Sequence, residues 1–259
     1  MIELCESIQL DTGLQFGKGL FETLLVKDQH ALHLDLHVDR LNTSLQKLGI
    51  HQQIAMSMVE DVTKRLGNFN NHHTYVLKIL VTEKNKLALP RSYSYAESHF
   101  RHGLKLTISP ILRNETSPAV YLKTLNYLDN LVARDTAKNA GFDDALFLNT
   151  QGFLTETSSA NLFFIRENKI YTPSIQSGLL NGIYRQLIFQ KFNIHEGFFT
   201  LDDLRHAEAV FITNSLLTVM PICQIDKQYY MTQDHSLFQS IFSFFYPFQS
   251  FKFASDHAK

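Results

Sequence analysis

Lys123 lies in "AVYLKTLNYLDN" (residues 119–130), flanked by Tyr121, Leu122, Leu125 and Leu128. Placing an ammonium among apolar neighbours costs free energy, so the position asks for a reason. Three other stretches carry groups of a different chemistry. In "LNGIYRQ" (180–186) a helix begins, with Asn181 a candidate N-cap and Gly182 admitting an anion close to the backbone, the makings of a phosphate seat. Arg40, in the first half of the chain, has the planar fork that grips a phosphate through two parallel bonds. Glu156 sits among Thr155, Thr157, Ser158 and Ser159, a strand end rich in hydroxyls and short of charge partners. On these residues alone, an ordinary helix cap, a surface arginine and an exposed glutamate are the simpler accounts. "HLDLH" (33–37) sets His33 and His37 one helical turn apart near Asp35 and Asp39. No third ligand follows at a telling spacing, so a helix cap and side chains that face water explain this stretch better than a metal does. The patterns GxGxxG, GxxxxGK[ST], GxSxG and HExxH do not occur.

The elements that must position these groups belong to a globular chain. Its 259 residues suit one large domain or two moderate ones, and 44% hydrophobic with 19% charged residues argues against disorder. A formal net charge of −1 gives no electrostatic footprint for nucleic acid or an anionic membrane. Two distant cysteines, Cys5 and Cys223, fit a reducing compartment. The N-terminus has no signal-peptide pattern, and the most apolar window (237–248) is too short and interrupted to span a bilayer, so a cytoplasmic protein is expected. That window reads as a C-terminal helix docking its phenylalanines on the core.

"GLFETLLV" (19–26) reads as a strand, with "ALHL" its candidate hairpin partner after "KDQH". His37, Leu41, Leu45 and Leu48 recur at helical steps and Gly49 closes the run. A second helix covers "QIAMSMVEDVTKRLG", and "HTYVLKILVTEK" and "LKLTISP" follow as strands. Residues 109–120, with two prolines, are the candidate interdomain linker. Beyond them come a helix at "NYLDNLVARDTAKNAG" with a stop at Gly141, strands at "DALFLN" and "FLTET", and a hairpin in "NLFFIRENKIYTP". A helix at "NGIYRQLIFQKF" and a strand centred on residues 210–213 complete the pattern. Two α+β domains with a cleft between them are expected, and ligands favour clefts.

"FGKGLFETLLV", "LHVDRLNTSLQKLGI", "LKTLNYLDNLVARDTAKNAGFDDALFLNTQGFLTETSSANLFFI", "LNGIYRQ" and "VFITNSLLTVMPI", taken together, resemble the fold-type IV pyridoxal-phosphate enzymes. That family includes branched-chain and D-amino-acid aminotransferases and 4-amino-4-deoxychorismate lyase, and the likeness runs from about Ile8 to Ile225. It implies an α+β fold of the D-amino-acid aminotransferase type, with residues 1–112 as an N-terminal α/β domain. Residues 113–259 would form a C-terminal pseudo-barrel domain carrying the Schiff-base lysine, with pyridoxal 5'-phosphate in the cleft.

By this resemblance Lys123 is that lysine, and apolar surroundings serve it by favouring the neutral amine that attacks an aldehyde. Glu156 pairs with the protonated pyridine nitrogen, which keeps the ring an electron sink. Arg40 holds the phosphate together with backbone amides at Gly182 and Ile183 and around Thr213 and Asn214. Within the family the loop at "TNSLLTVMPI" leans toward the lyase, which eliminates pyruvate from 4-amino-4-deoxychorismate to give 4-aminobenzoate on the way to folate. A D-amino-acid or branched-chain aminotransferase is the alternative. Thr23 is the candidate for assisting the leaving group, and Arg91 and Tyr93 for binding the amine substrate. Gly17-Lys18-Gly19, Leu25 and Tyr127 depart from the usual pattern. The resemblance further implies a homodimer, with neither nucleic acid nor membrane as partner.

Overall fold

The computed structural model describes residues 2–4 and 7–246, so Cys5, Pro247 and Phe248 lie outside the described residues. The chain forms two compact units, one of Met1–Ser94 with Leu122–Tyr127 and one of Tyr95–Tyr121 with Leu128–Lys259. The expected boundary at 112/113 is therefore corrected in two ways. Strand Leu104–Ile108 pairs in parallel with strands Asp144–Leu148 and Met220–Ile225, which places it in the second unit. Lys123 belongs to the first unit, not the second.

The first unit is built on a five-stranded sheet of β1 (Glu3–Leu4), β2 (Leu20–Lys27), β3 (His30–Ala31), β4 (Thr74–Val81) and β5 (Lys86–Ser92), in the spatial order β1-β5-β4-β2-β3. Side chains alternate across it. Leu20, Leu24 and Val26 of β2, with Tyr75, Leu77, Ile79 and Val81 of β4, form one apolar cluster with Leu41, Leu45, Val59 and Val62. These last four come from helices α2 (Leu34–Lys47) and α3 (Met56–Leu66); the short α1 (Thr12–Phe16) precedes them in the chain. The opposite face carries Phe21, Thr23 and Leu25 of β2, in register with Leu80, Lys78 and Val76 of β4. The predicted hairpin partner of β2 shrinks to two residues after a turn with Asp28 and Gln29 at positive φ.

Residues 122–127 return to β2 as a short added strand. The Phe21 amide donates to the Lys123 carbonyl at 2.9 Å and the Leu125 amide to the Gly19 carbonyl at 3.0 Å, with Leu20 bridged antiparallel to Thr124. This register sets Lys123 opposite Phe21, on the face away from the α2/α3 core.

The second unit holds β6 (Leu104–Ile108), β7 (Asp144–Leu148), β8 (Leu154–Thr157), β9 (Asn161–Arg166), β10 (Lys169–Pro173), β11 (Ile194–Gly197), β12 (Ala209–Thr213), β13 (Met220–Ile225) and β14 (Gln228–Tyr229). Their order is β11-β10-β9-β12-β13-β6-β7-β8 with β14 beside β13, and β8 pairs back onto β9. That last pairing closes six strands into a barrel. Its core includes Phe163 and Phe211, stacked at 5.1 Å with planes 6° apart. Among the described residues this unit carries the helices α4 (Glu97–His102), α5 (Leu128–Asn139), α6 (Ile183–Lys191), α7 (Leu201–Arg205) and α8 (Ser236–Phe245). The docking expected of α8 is present, with Phe238, Ile241 and Phe242 buried in the barrel cluster.

The proline-containing stretch 109–120 is not a linker. Arg113 is buried, and its amide and carbonyl bond to Leu148 and Thr150. The Glu115 carboxylate accepts from the Thr150 hydroxyl at 2.7 Å and from Gln151 Nε2 at 2.9 Å. Proline here shapes an anchored loop rather than a free tether.

Gly19 is where the added strand and β4 converge: a methyl group there would sit 2.6 Å from Leu125 Cδ1, 2.9 Å from Thr82 Cγ2 and 3.0 Å from the Val81 carbonyl. Gly19→Ala should destabilise the protein by about 1–3 kcal/mol in urea unfolding and expose residues 122–127 to limited proteolysis.

Candidate active site

Two sets of groups, one in each unit, gather the residues singled out from the sequence. In the first unit Lys123 Nζ lies 4.6 Å from the centre of the Phe21 ring and Lys78 Nζ lies 4.2 Å from it. Both lysine nitrogens therefore lie within reach of a single aromatic ring, close enough for a cation there to be attracted to the π-face. Tyr127 meets the same ring edge-on at 5.3 Å. Thr23 stands opposite Lys78, and Arg91, opposite Val76, falls on the same face of the sheet. Burial holds the Lys78 ammonium below its ordinary pKa, and the Arg91 charge adds to the effect. Tyr93 lies just past the end of β5, half-buried. Lys78 is a group that sequence reading passed over; its strand pattern disguised it as an ordinary polar alternation.

Behind this face, on the core side of β2, Glu22 is only 2% exposed. Arg40 reaches it from α2 with Nε at 2.7 Å from Oε1 and Nη2 at 2.6 Å from Oε2, a bidentate pair. His37, one turn earlier and equally buried, places Nδ1 2.6 Å from Oε2. Arg40 is thus not a surface arginine, and His37 is neither a cap nor a surface group. His33 takes a left-handed conformation at the start of α2 and makes no side-chain cap. Burial alone would raise the Glu22 pKa, but Arg40 and then His37 outweigh it and hold the carboxyl at about 2.

In the second unit, strand register builds a row across three strands: Glu156 of β8 faces Asn161 of β9, which faces Thr213 of β12. Glu156 is 12% exposed and does have a charge partner, Arg113, whose Nη2 lies 3.6 Å from Oε1. Arg113 is itself fixed, with its guanidinium 3.9 Å over the Phe147 ring and Nη1 donating to Asn130 Oδ1 at 3.0 Å. Asn161 Nδ2 donates to the Leu180 carbonyl at 2.8 Å and to Glu156 Oε2 at 3.3 Å, so one amide joins the carboxylate to the loop before α6. Neither Arg113 nor Asn161 was singled out from the sequence; the strand pairing that gives them their place is non-local.

Gly182, not Asn181, is the N-cap of α6, and it offers no side chain to the first amides of the helix, Ile183 among them. Asn181 instead accepts from Arg185 Nη1 at 3.2 Å. A methyl group on Gly182 would come within 2.2 Å of Asn161 Oδ1, so backbone is exposed there by necessity. Thr213 Oγ1 is buried without a hydrogen-bond partner, an orphan that asks for an acceptor or donor. Asn214 spends its side chain on shaping the loop: Oδ1 accepts from the Leu216 and Leu217 amides at 2.8 Å, and Nδ2 donates to the Ser159 carbonyl at 3.1 Å.

Residues 19–225 match the model of the amino-transferase class IV family. A D-alanine aminotransferase of Bacillus licheniformis is 27% identical over 84% of this chain and 82% of its own length. An aminodeoxychorismate lyase of Bacillus subtilis is 26% identical over 86% of this chain and 83% of its own. A Legionella pneumophila structure provisionally described as a 4-amino-4-deoxychorismate lyase superposes with a TM-score of 0.85 at 27% identity, covering 95% of this chain and 96% of that one. The fold is that of fold-type IV, and enzymes of this kind use pyridoxal 5'-phosphate. The residues present fit that cofactor. An uncapped helix start with a side-chain-free cradle and an orphaned hydroxyl suits a phosphate. A half-buried carboxylate suits a protonated ring nitrogen, and a lysine on an aromatic ring suits the aldehyde.

The Glu22 carboxyl makes the fold acid-sensitive in a defined window. Because its folded pKa is depressed, its contribution is full above the ordinary 4.5 and is lost as pH falls through about 2. Chemical-denaturation free energies should decline across that window, and Glu22→Gln should flatten the decline.

Proposed function

Because the chain belongs to the class IV aminotransferase family, we propose that it is a pyridoxal-phosphate lyase that eliminates pyruvate from 4-amino-4-deoxychorismate to give 4-aminobenzoate. The observation that carries this reading is the cationic face of the first sheet. Lys78 and Arg91 share with Lys123 and Thr23 one side of β2, β4 and β5. A substrate with two carboxylates needs two cations besides the reacting lysine, whereas an alanine-sized amino acid has one carboxylate. Supporting it are the lyase of Bacillus subtilis and the Legionella pneumophila structure.

Pyridoxal phosphate, when bound, supplies an electron sink for the carbon that bears the substrate amine. The protein's own groups do the rest in this reading. Arg40, the amides of Gly182 and Ile183 and the hydroxyl of Thr213 hold the phosphate, and the loop that Asn214 braces lies beside Thr213. Glu156 keeps the proton on the ring nitrogen, and Arg113, 3.6 Å from its carboxylate, holds it in place to do so. Lys78 and Arg91 hold the carboxylates, with Tyr93 at the rim. Lys123 Nζ takes the proton from the amine-bearing carbon as the carbon–oxygen bond to the enolpyruvyl group breaks, and Thr23 donates a hydrogen bond to the departing oxygen. A proton delivered to the released enol gives pyruvate. The setting proposed is folate biosynthesis in the cytoplasm, by a homodimer.

A second reading, a D-amino-acid or branched-chain aminotransferase, is favoured by the D-alanine aminotransferase of Bacillus licheniformis, whose identity to this chain is as high. The purified holoprotein should convert 4-amino-4-deoxychorismate into equal amounts of 4-aminobenzoate and pyruvate. Full cofactor loading with no 4-aminobenzoate overturns the lyase. Conversion of the bound cofactor to pyridoxamine phosphate by D-alanine or leucine alone would establish the transaminase instead. Borohydride reduction followed by peptide mapping should leave the adduct on Lys123. Lys78→Met should raise KM for the lyase substrate by roughly tenfold or more, with a smaller change in kcat.

A further inference from the structure

The Glu22–His37–Arg40 cluster is costly where it stands. Its carboxylate projects from the core side of β2, between Leu20 and Leu24, into the cluster that α2 and α3 close. A buried ion pair of this kind is often no more stabilising than apolar side chains of the same volume, so packing alone gives little reason for it. The geometry gives a better one. Arg40 engages Glu22 through Nε and Nη2, each within 2.7 Å of a carboxylate oxygen, which fixes both the plane and the rotation of the guanidinium. His37, at 2.6 Å on Oε2, holds the carboxylate from a second direction, and all three residues come from elements of one unit.

We propose that Glu22, braced by His37, is a positioning residue for cofactor binding: it sets the guanidinium of Arg40 in the orientation from which Arg40 grips the phosphate. This rests on the reading of Arg40 as the phosphate-binding arginine. The gain is one of pre-organisation. A long side chain with several rotamers is held in one, so the entropy of ordering it is spent in folding rather than in binding. Glu22 touches neither substrate nor cofactor in this scheme; it acts through Arg40.

The test uses the holoprotein and three variants, Arg40→Met, Glu22→Gln and His37→Asn, each checked for folding by its melting profile. Two quantities are read: the dissociation constant of pyridoxal phosphate by equilibrium dialysis, and the phosphorus-31 resonance of the bound cofactor. Glu22→Gln should weaken cofactor binding by roughly tenfold, move the resonance toward that of free cofactor, and leave kcat at saturating cofactor within about twofold. His37→Asn, which spares the ion pair, should give a smaller shift in the same direction, and it serves as the deciding variant if Glu22→Gln does not fold. Arg40→Met should show the largest loss. If Arg40→Met weakens the cofactor while Glu22→Gln, or His37→Asn in its place, leaves both affinity and resonance unchanged, the positioning role is overturned and Arg40 keeps its own. If Arg40→Met itself binds cofactor normally, the assignment of Arg40 falls, and the role of Glu22 with it.

Discussion

Two backbone hydrogen bonds, from the Phe21 amide to the Lys123 carbonyl and from the Leu125 amide to the Gly19 carbonyl, fix where the Lys123 amine stands. A side chain on a loop samples many positions, but one in register with a strand inherits the strand's alternation. Lys123 therefore faces the same side as Phe21, and through the β2–β4 register the same side as Thr23 and Lys78. A slip of one residue would turn the amine toward the apolar cluster of α2 and α3. Gly19, which has no room for a methyl group, is the condition under which the added strand can lie so close.

The second unit solves the matching problem with a carboxylate. Closing the barrel brings β8 against β9, and this single pairing, Glu156 with Asn161, puts an acid, an amide and the Thr213 hydroxyl in one row. Arg113 offsets part of the cost of burying Glu156 and is itself seated on Phe147. Asn161 also sets the limit on what residue 182 can be, so the setting of Glu156 and the backbone at the start of α6 depend on one amide side chain.

Much of this was legible in the residues because it is local. The steps of His37, Leu41 and Leu45 mark α2, the glycine at 141 ends α5 at positive φ, and Glu167-Asn168, both at positive φ, turn the β9–β10 hairpin where "REN" suggested a turn. The site residues named from family likeness could not be placed by periodicity, since Lys123 and Glu156 carry no local signal beyond an odd setting. What escaped was non-local. Prolines at 110 and 118 suggested a tether, but the loop between them is tied down by Arg113 to Glu156 and by Glu115 to Thr150, partners more than thirty positions further along the chain. Glu22 was unremarked within "FETLLV" because nothing in that stretch announces that Arg40 and His37 will meet it.

The hexapeptide 122–127 also has a temporal meaning. Flanked on both sides by chain that belongs to the second unit, it completes the first sheet only after everything from residue 95 to residue 121 has been made. During vectorial synthesis on the ribosome, the first ninety-four residues must wait for a strand that arrives from beyond the start of their neighbour. A gene cut at residue 94 would yield a fragment with β2 unpaired along that edge and without its lysine. The covalent connectivity thus prevents either half from being inherited, transplanted or assembled as a contiguous module.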